Sequence, residues 1–107
     1  MHDVFTLNDE TFDSFINRSS VPVLVDFWAQ WCAPCRLIAP LVEDVSRHYG
    51  EKLAVCKIDI DEAPATVSKL GITSIPTLIL FKDGAPVARH VGVASKDKMH
   101  HFLSGHL

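Results

Sequence analysis

An α/β domain, with a mixed sheet of four or five strands and helices on both faces, is what the 107-residue sequence predicts. Three observations carry that prediction. Helix-period segments alternate with strand-like ones along the whole chain. The run Val23-Leu24-Val25-Asp26-Phe27-Trp28 is apolar on both alternating faces, as a strand covered by helices on each side must be. The helical segments are also too many for one face of a sheet to hold.

The elements follow in order. Val4-Phe5 is a short strand candidate. Asn8 can cap a helix over 9–18, because Phe12, Phe15 and Ile16 fall at i, i+3, i+4 spacing. After the central strand a helix should begin at about Pro34, carrying Leu37, Ile38, Leu41, Val42 and Val45, with Pro40 kinking it and Gly50 as its stop. Residues 53–60 alternate into a second buried strand, and 63–70 make a short helix ended by Gly71, which completes a βαβ unit. Segments 77–81 and 87–91 are β-rich and joined through Lys82-Asp83-Gly84, a turn signal for an antiparallel hairpin. A last helix, capped by Ser95, presents Met99, Phe102 and Leu103 to the sheet.

With 48% hydrophobic and 21% charged residues the chain can bury one core without metals or staples, so disordered and fibrous classes drop out. It shows no internal repeat or linker, and residues 1–107 read as a single domain. The formal net charge of -3 comes without a basic run long enough to follow a phosphate backbone, so no nucleic-acid partner is expected. The start Met1-His2-Asp3-Val4 has no leader pattern, and no apolar run approaches the roughly 18 residues of a span. A soluble, cytoplasmic protein without membrane contact is the expectation.

Three cysteines in such a chain argue against a disulfide framework, and the Cys-x-x-Cys spacing of Cys32 and Cys35 points to metal or redox chemistry in a reducing compartment. There is no second such pair for zinc, and Arg36 stands where haem attachment needs histidine. None of the six histidines pairs at i, i+4; His100 and His101 are assigned to a solvated helix face, and no metal is expected. Cys32 falls at a helix N-terminus, where unpaired N–H groups and the dipole favour a thiolate. Pro34 suits the first helical turn, and Cys35 lies three residues on, on the same face as Cys32. Cys56, in an apolar strand, reads as an inert buried thiol. Asp26 is a lone carboxylate in an apolar strand, where desolvation should keep it protonated unless it finds a cation.

The segment Trp31-Cys32-Ala33-Pro34-Cys35-Arg36, with Asp26-Phe27-Trp28-Ala29 before it and Ile75-Pro76-Thr77 and Gly92 after it, resembles the thioredoxin family over essentially the whole chain. Pro40, Lys57, Asp61, Pro64, Gly71 and Lys82-Asp83-Gly84 add to the match. Two positions depart from the usual pattern: Ala33, where glycine is usual and where the methyl can tune the redox pair, and Arg36, where lysine is common.

The resemblance implies a thioredoxin fold, with a mixed five-stranded sheet flanked by helices on both faces. It implies a protein disulfide reductase in which Cys32 is the nucleophile, Cys35 resolves the mixed disulfide, Asp26 is the general base and Lys57 its charge partner. It further implies a cis bond before Pro76 and a peptide-binding groove formed by Trp31, Ile60, Ile75, Pro76, Thr77, Val91, Gly92 and Val93. No cofactor is bound in this scheme. The redox centre is the Cys32-Cys35 disulfide, recharged by a thioredoxin reductase that draws on NADPH, and the protein is a monomer acting on disulfide-containing proteins. Two alternatives compete: an isomerase or oxidase on the same fold, and a redox-independent binding subunit.

Overall fold

The computed structural model describes residues 4–107. Five strands, β1 (Val4–Thr6), β2 (Val23–Trp28), β3 (Ala54–Asp59), β4 (Thr77–Lys82) and β5 (Ala85–Val91), form one sheet in the order β1-β3-β2-β4-β5. The central place of β2 follows from its composition, since only a strand in the middle layer keeps both alternating faces from water. β3 runs parallel to β1 and β2, while β4 is antiparallel to both β2 and β5. The family's mixed five-stranded sheet is thus realised.

Alternation sorts the core into two layers. Val23, Val25 and Phe27 of β2 join Cys56 and Ile58 of β3 and Ile79 and Phe81 of β4, and pack on Phe12 and Ile16 of helix α1 (Phe12–Arg18) and on Ile72. The opposite face carries Leu24, Val55, Leu78 and Leu80 under Ile38, Val42 and Val45 of helix α2 (Ala33–Tyr49) and Met99 and Leu103 of helix α4 (Lys96–Ser104). Asp26 shares that second face with Leu24, and its register partner on β3 is Lys57.

Several boundaries differ from those the sequence predicts. Asn8 does cap a turn, its side chain accepting from the N–H groups of Glu10 and Thr11 at 2.9 and 3.1 Å, but the α-helix itself begins only at Phe12. Ile60 leaves the strand for a 3-10 turn, Ile60–Glu62, which the Asp59 carboxylate starts by accepting from Asp61 N–H at 3.0 Å. β5 begins at Ala85, two residues earlier than its apolar pattern, because Asp83 (φ 54°) and Gly84 (φ 82°) turn the chain in two residues. Both φ values are positive, as the tight hairpin turn demands. Helix α2 continues through Pro40 to Tyr49. No helix among the described residues is long and apolar enough to cross a membrane.

Helix α3 (Pro64–Leu70) has no cap of its own, since Ala63 offers no side-chain acceptor. The carboxylate of Asp9 supplies one from across the fold, accepting from Ala65 N–H (3.1 Å), Thr66 N–H (2.8 Å) and the Thr66 hydroxyl (2.7 Å). Lys69 reaches Asp13 at 2.8 Å and ties the same helix to α1. The main-chain and hydroxyl donors of Thr66 hold the Asp9 carboxyl below the usual carboxylate range. A depressed carboxylate stabilises the fold above its unfolded value of about 3.9, and this stabilisation fades as pH falls through the lower folded value. Asp9→Ala should therefore lower Tm at pH 7, with the gap to the parent closing in acid; a gap that persists undiminished in thermal melts below pH 3 or so would argue against the cap.

Candidate active site

The chain leaves the C-terminal end of the central strand β2 and enters α2 within a few residues, which puts Cys32 at the N-cap with Pro34 in the first turn. Cys32 Sγ accepts the N–H of Cys35 at 3.2 Å, so one of the helix's unpaired donors is aimed at the sulfur. The two Cα atoms are 5.3 Å apart and the sulfurs are bonded as a disulfide. Both cysteines are buried against Ala29, Trp28, Ile60 and Ile75. Ala33, the first residue of α2, is exposed, so its methyl faces outward beside the pair.

Asp26 lies beneath this pair and is 5% exposed. Burial pushes its carboxyl up to about 7, against the pull of Lys57 in the opposite direction. One carboxyl oxygen, Oδ1, has no hydrogen-bond partner. Lys57 makes no ion pair with it; the ammonium sits instead 5.3 Å over the Trp28 ring, a cation-π placement. A cavity of about 120 Å³ joins Asp26 and Lys57 to Cys35, with Trp28, Arg36 and Ala39 completing its lining. Its wall is more apolar than polar, with the ionisable side chains of Asp26 and Lys57 among its lining, and it has room for water.

On the other side of the disulfide, the Ile75-Pro76 bond is cis and the Ile75 carbonyl oxygen is 3.9 Å from Cys32 Sγ. Trp31 is 66% exposed, its indole N–H donating to Asp61 at 2.9 Å. With Ile60, Ile72, Thr73, Ser74 and Ile75 it lines a depression of about 260 Å³. Val91 and Val93 stand exposed on either side of Gly92, whose N–H donates to the Pro76 carbonyl at 2.8 Å. The Pro76 carbonyl is thus occupied, which leaves Ile75 as the main-chain segment facing Cys32. Thr77 departs from the groove expected of it: it is 2% exposed, and its hydroxyl donates inward to Ser74 O at 2.6 Å.

Two features of the site were not foreseen as functional. Asp61 orients Trp31, and its signal lay in the Asp59-Ile60-Asp61 stretch, where an Asx turn brings a carboxylate to the end of a strand. The Arg36 guanidinium donates to the Gln30 carbonyl at 2.7 Å, a contact for which the sequence holds no signal beyond the residue's reach. Cys56 belongs to the opposite face of the sheet, and burial pushes its thiol up to about 12. His100 is half-buried rather than solvated, because its ring meets the Tyr49 hydroxyl at 3.4 Å and packs on His48. No group of three metal-ligating side chains occurs among the described residues. A concavity of about 760 Å³ between Val21, Tyr49, Lys52, Lys82 and His106 has no thiol in its lining.

Residues 3–105 match the family model described as Thioredoxin. Among curated proteins, the chain is 46% identical over 101 residues to thioredoxin 1 of Synechococcus elongatus, covering 94% of each. It is 44% identical over 104 residues to a thioredoxin of Pseudomonas aeruginosa, covering 97% of this chain and 96% of the relative. With a thioredoxin of Haemophilus influenzae the identity is 38% over 107 residues, the full length of both.

A carboxyl raised in the folded protein favours folding fully below the unfolded value near 3.9, and that contribution is lost as pH rises to about 7. The loss amounts to about 4 kcal/mol, from 1.36 kcal/mol per pH unit over that interval. Asp26→Asn, neutral throughout, should remove this slope, so urea midpoints of the variant gain on the parent from pH 4 to pH 8. Parallel stability curves would contradict a desolvated Asp26.

Proposed function

The chain belongs to the thioredoxin family and is a protein disulfide oxidoreductase, and from that premise we propose that it runs in the reducing direction, donating electrons to disulfides of other proteins. The observation that carries the reading is the closed Cys32-Cys35 pair at a helix N-terminus, with a buried carboxyl across a small cavity from Cys35. In the reduced protein the Cys32 thiolate attacks one sulfur of the substrate disulfide; the other substrate sulfur leaves as a thiolate and takes a proton from solvent. A Cys32-substrate mixed disulfide results. Cys35 then passes its proton through cavity water to the Asp26 carboxylate and attacks Cys32, which closes the internal disulfide and releases the second substrate thiolate. Two electrons have moved from the cysteine pair to the substrate.

The division of labour follows from position. Cys32 packs with Ile60 and Ile75, which together with Trp31 line the depression, whereas Cys35 borders the Asp26 cavity. An extended substrate strand would lie over the Trp31 depression and pair with the main chain of Ile75, its disulfide brought in line with Cys32. Lys57 holds the Asp26 titration low enough for the carboxylate to be available near neutral pH. Thr77 serves this site by fixing the Ser74 carbonyl and so the loop that carries Ile75 and Pro76. Pro34 sets the first turn of α2. Ala33 tunes the pair by limiting backbone freedom between the sulfurs. We place the protein in the cytoplasm as a monomer, reduced by an NADPH-dependent thioredoxin reductase, without nucleic-acid or membrane partners.

Cys32→Ser should abolish insulin disulfide reduction, while Cys35→Ser should still attack and accumulate mixed disulfides detectable by mass. The deciding value is the equilibrium potential of the Cys32/Cys35 couple in thiol buffers. A value below the glutathione poise, about -240 mV, is expected. A value near the roughly -180 mV of isomerases would overturn the reducing direction and leave the isomerase or oxidase reading, with Ala33→Gly as the first reversion.

A further inference from the structure

Arg36 has no part in the exchange described above, yet it touches two pieces of the site. Its Nη1 donates to the Gln30 carbonyl at 2.7 Å, reaching back past the turn that carries Trp31 and Cys32. Its side chain also lines the cavity between Asp26 and Cys35. Of the six residues around that cavity Arg36 and Ala39 are exposed, Trp28 and Lys57 half-buried, and Asp26 and Cys35 buried, so the two α2 residues are its most solvent-facing side. Ala39 brings a single methyl, and the length of wall must come from Arg36.

The two cations of the lining differ in what they do. Lys57 acts on the Asp26 carboxyl as a charge. Arg36 is not among the charges that shift Asp26; its guanidinium donates to the Gln30 carbonyl instead, and the three methylenes of an arginine can cover apolar surface while the head is held elsewhere. We infer that Arg36 is a positioning residue: latched to the Gln30 carbonyl, its aliphatic stem forms the outer wall that keeps bulk water off the cavity joining Asp26 to Cys35. A lysine has neither the planar fork nor the weak hydration that let a guanidinium hold a carbonyl at the surface.

The groups that face Asp26 are few. They are Lys57 from β3 and Cys35 and Arg36 from α2; β4 contributes the uncharged Leu78 in register with it. This makes the sign of an Arg36 effect diagnostic. Loss of a positive charge would raise the Asp26 midpoint, whereas loss of a wall admits water and lowers it toward the ordinary carboxylate value.

The test is a carboxyl-carbon NMR titration of Asp26 in the oxidised protein, comparing the parent with R36A and R36M. R36A is expected to lower the midpoint by about one pH unit, a modest part of what full burial can shift. An unchanged or raised midpoint overturns the wall. R36M keeps a stem without the latch and should fall below the parent; a midpoint equal to the parent's overturns the latch. No turnover enters this measurement. The role of Asp26 as base for Cys35 is checked separately: the pH profile of insulin reduction by R36A should move with the NMR midpoint. A moved midpoint with an unmoved profile leaves the wall standing and rejects Asp26 as the base.

Discussion

Burial of β2 on both faces is the constraint on which the rest of the molecule depends. It forces helices onto both sides of the sheet and fixes the chain's exit at the C-terminal end of the central strand, where α2 begins. The Cys32-Cys35 pair is placed by that exit and then packed against Ala29, Ile60 and Ile75. The same strand carries Asp26 on the α2 face, so a carboxyl is held in apolar surroundings at a cost that a scaffold alone would have no reason to bear. Position and electrostatics of the site thus share one origin.

The disulfide contributes little to holding this fold. Closing so small a ring constrains the unfolded chain by only about 2 kcal/mol. Two apolar layers, each continuous across the sheet, supply the stability instead. Opening the Cys32-Cys35 bond therefore leaves the scaffold intact, and the protein can alternate between redox states without refolding. The loop opposite the sulfurs is held just as independently, through α3, Asp9 and the Pro76-Gly92 contact.

Most of the architecture was legible because apolar periodicity and turn residues speak for themselves: β2, the Asp83-Gly84 hairpin, the Gly71 stop and the Ser95 cap all lie where their patterns put them. The misses are of one physical kind. Helix α1 starts late, and Ile60 leaves β3, because side-chain-to-backbone bonds from Asn8 and Asp59 outcompete the local pattern. At the site, the cysteine spacing and the lone carboxylate of Asp26 were readable from the residues, and Lys57 as its charge partner from the resemblance, while their register across β2 and β3 needed the fold. Bonds between residues far apart in sequence, Asp9 to Thr66 and Trp31 to Asp61, carry no periodic signature and needed the fold to appear. Thr77 was drawn into the groove by its neighbour Pro76, but strand alternation turns its side chain the other way.

The sheet also separates two sulfur populations. Cys56 packs against α1 and α3, while Cys32 and Cys35 sit at the end that serves α2, with the strand layer between. The Cys56 thiol, pushed up to about 12 by burial, stays protonated at neutral pH. An intermediate tethered through Cys32 can therefore be cleared only by Cys35 or by a thiol from outside. The third cysteine is insulated from scrambling, and a chain with an odd number of thiols behaves, in every turnover, as a two-thiol machine.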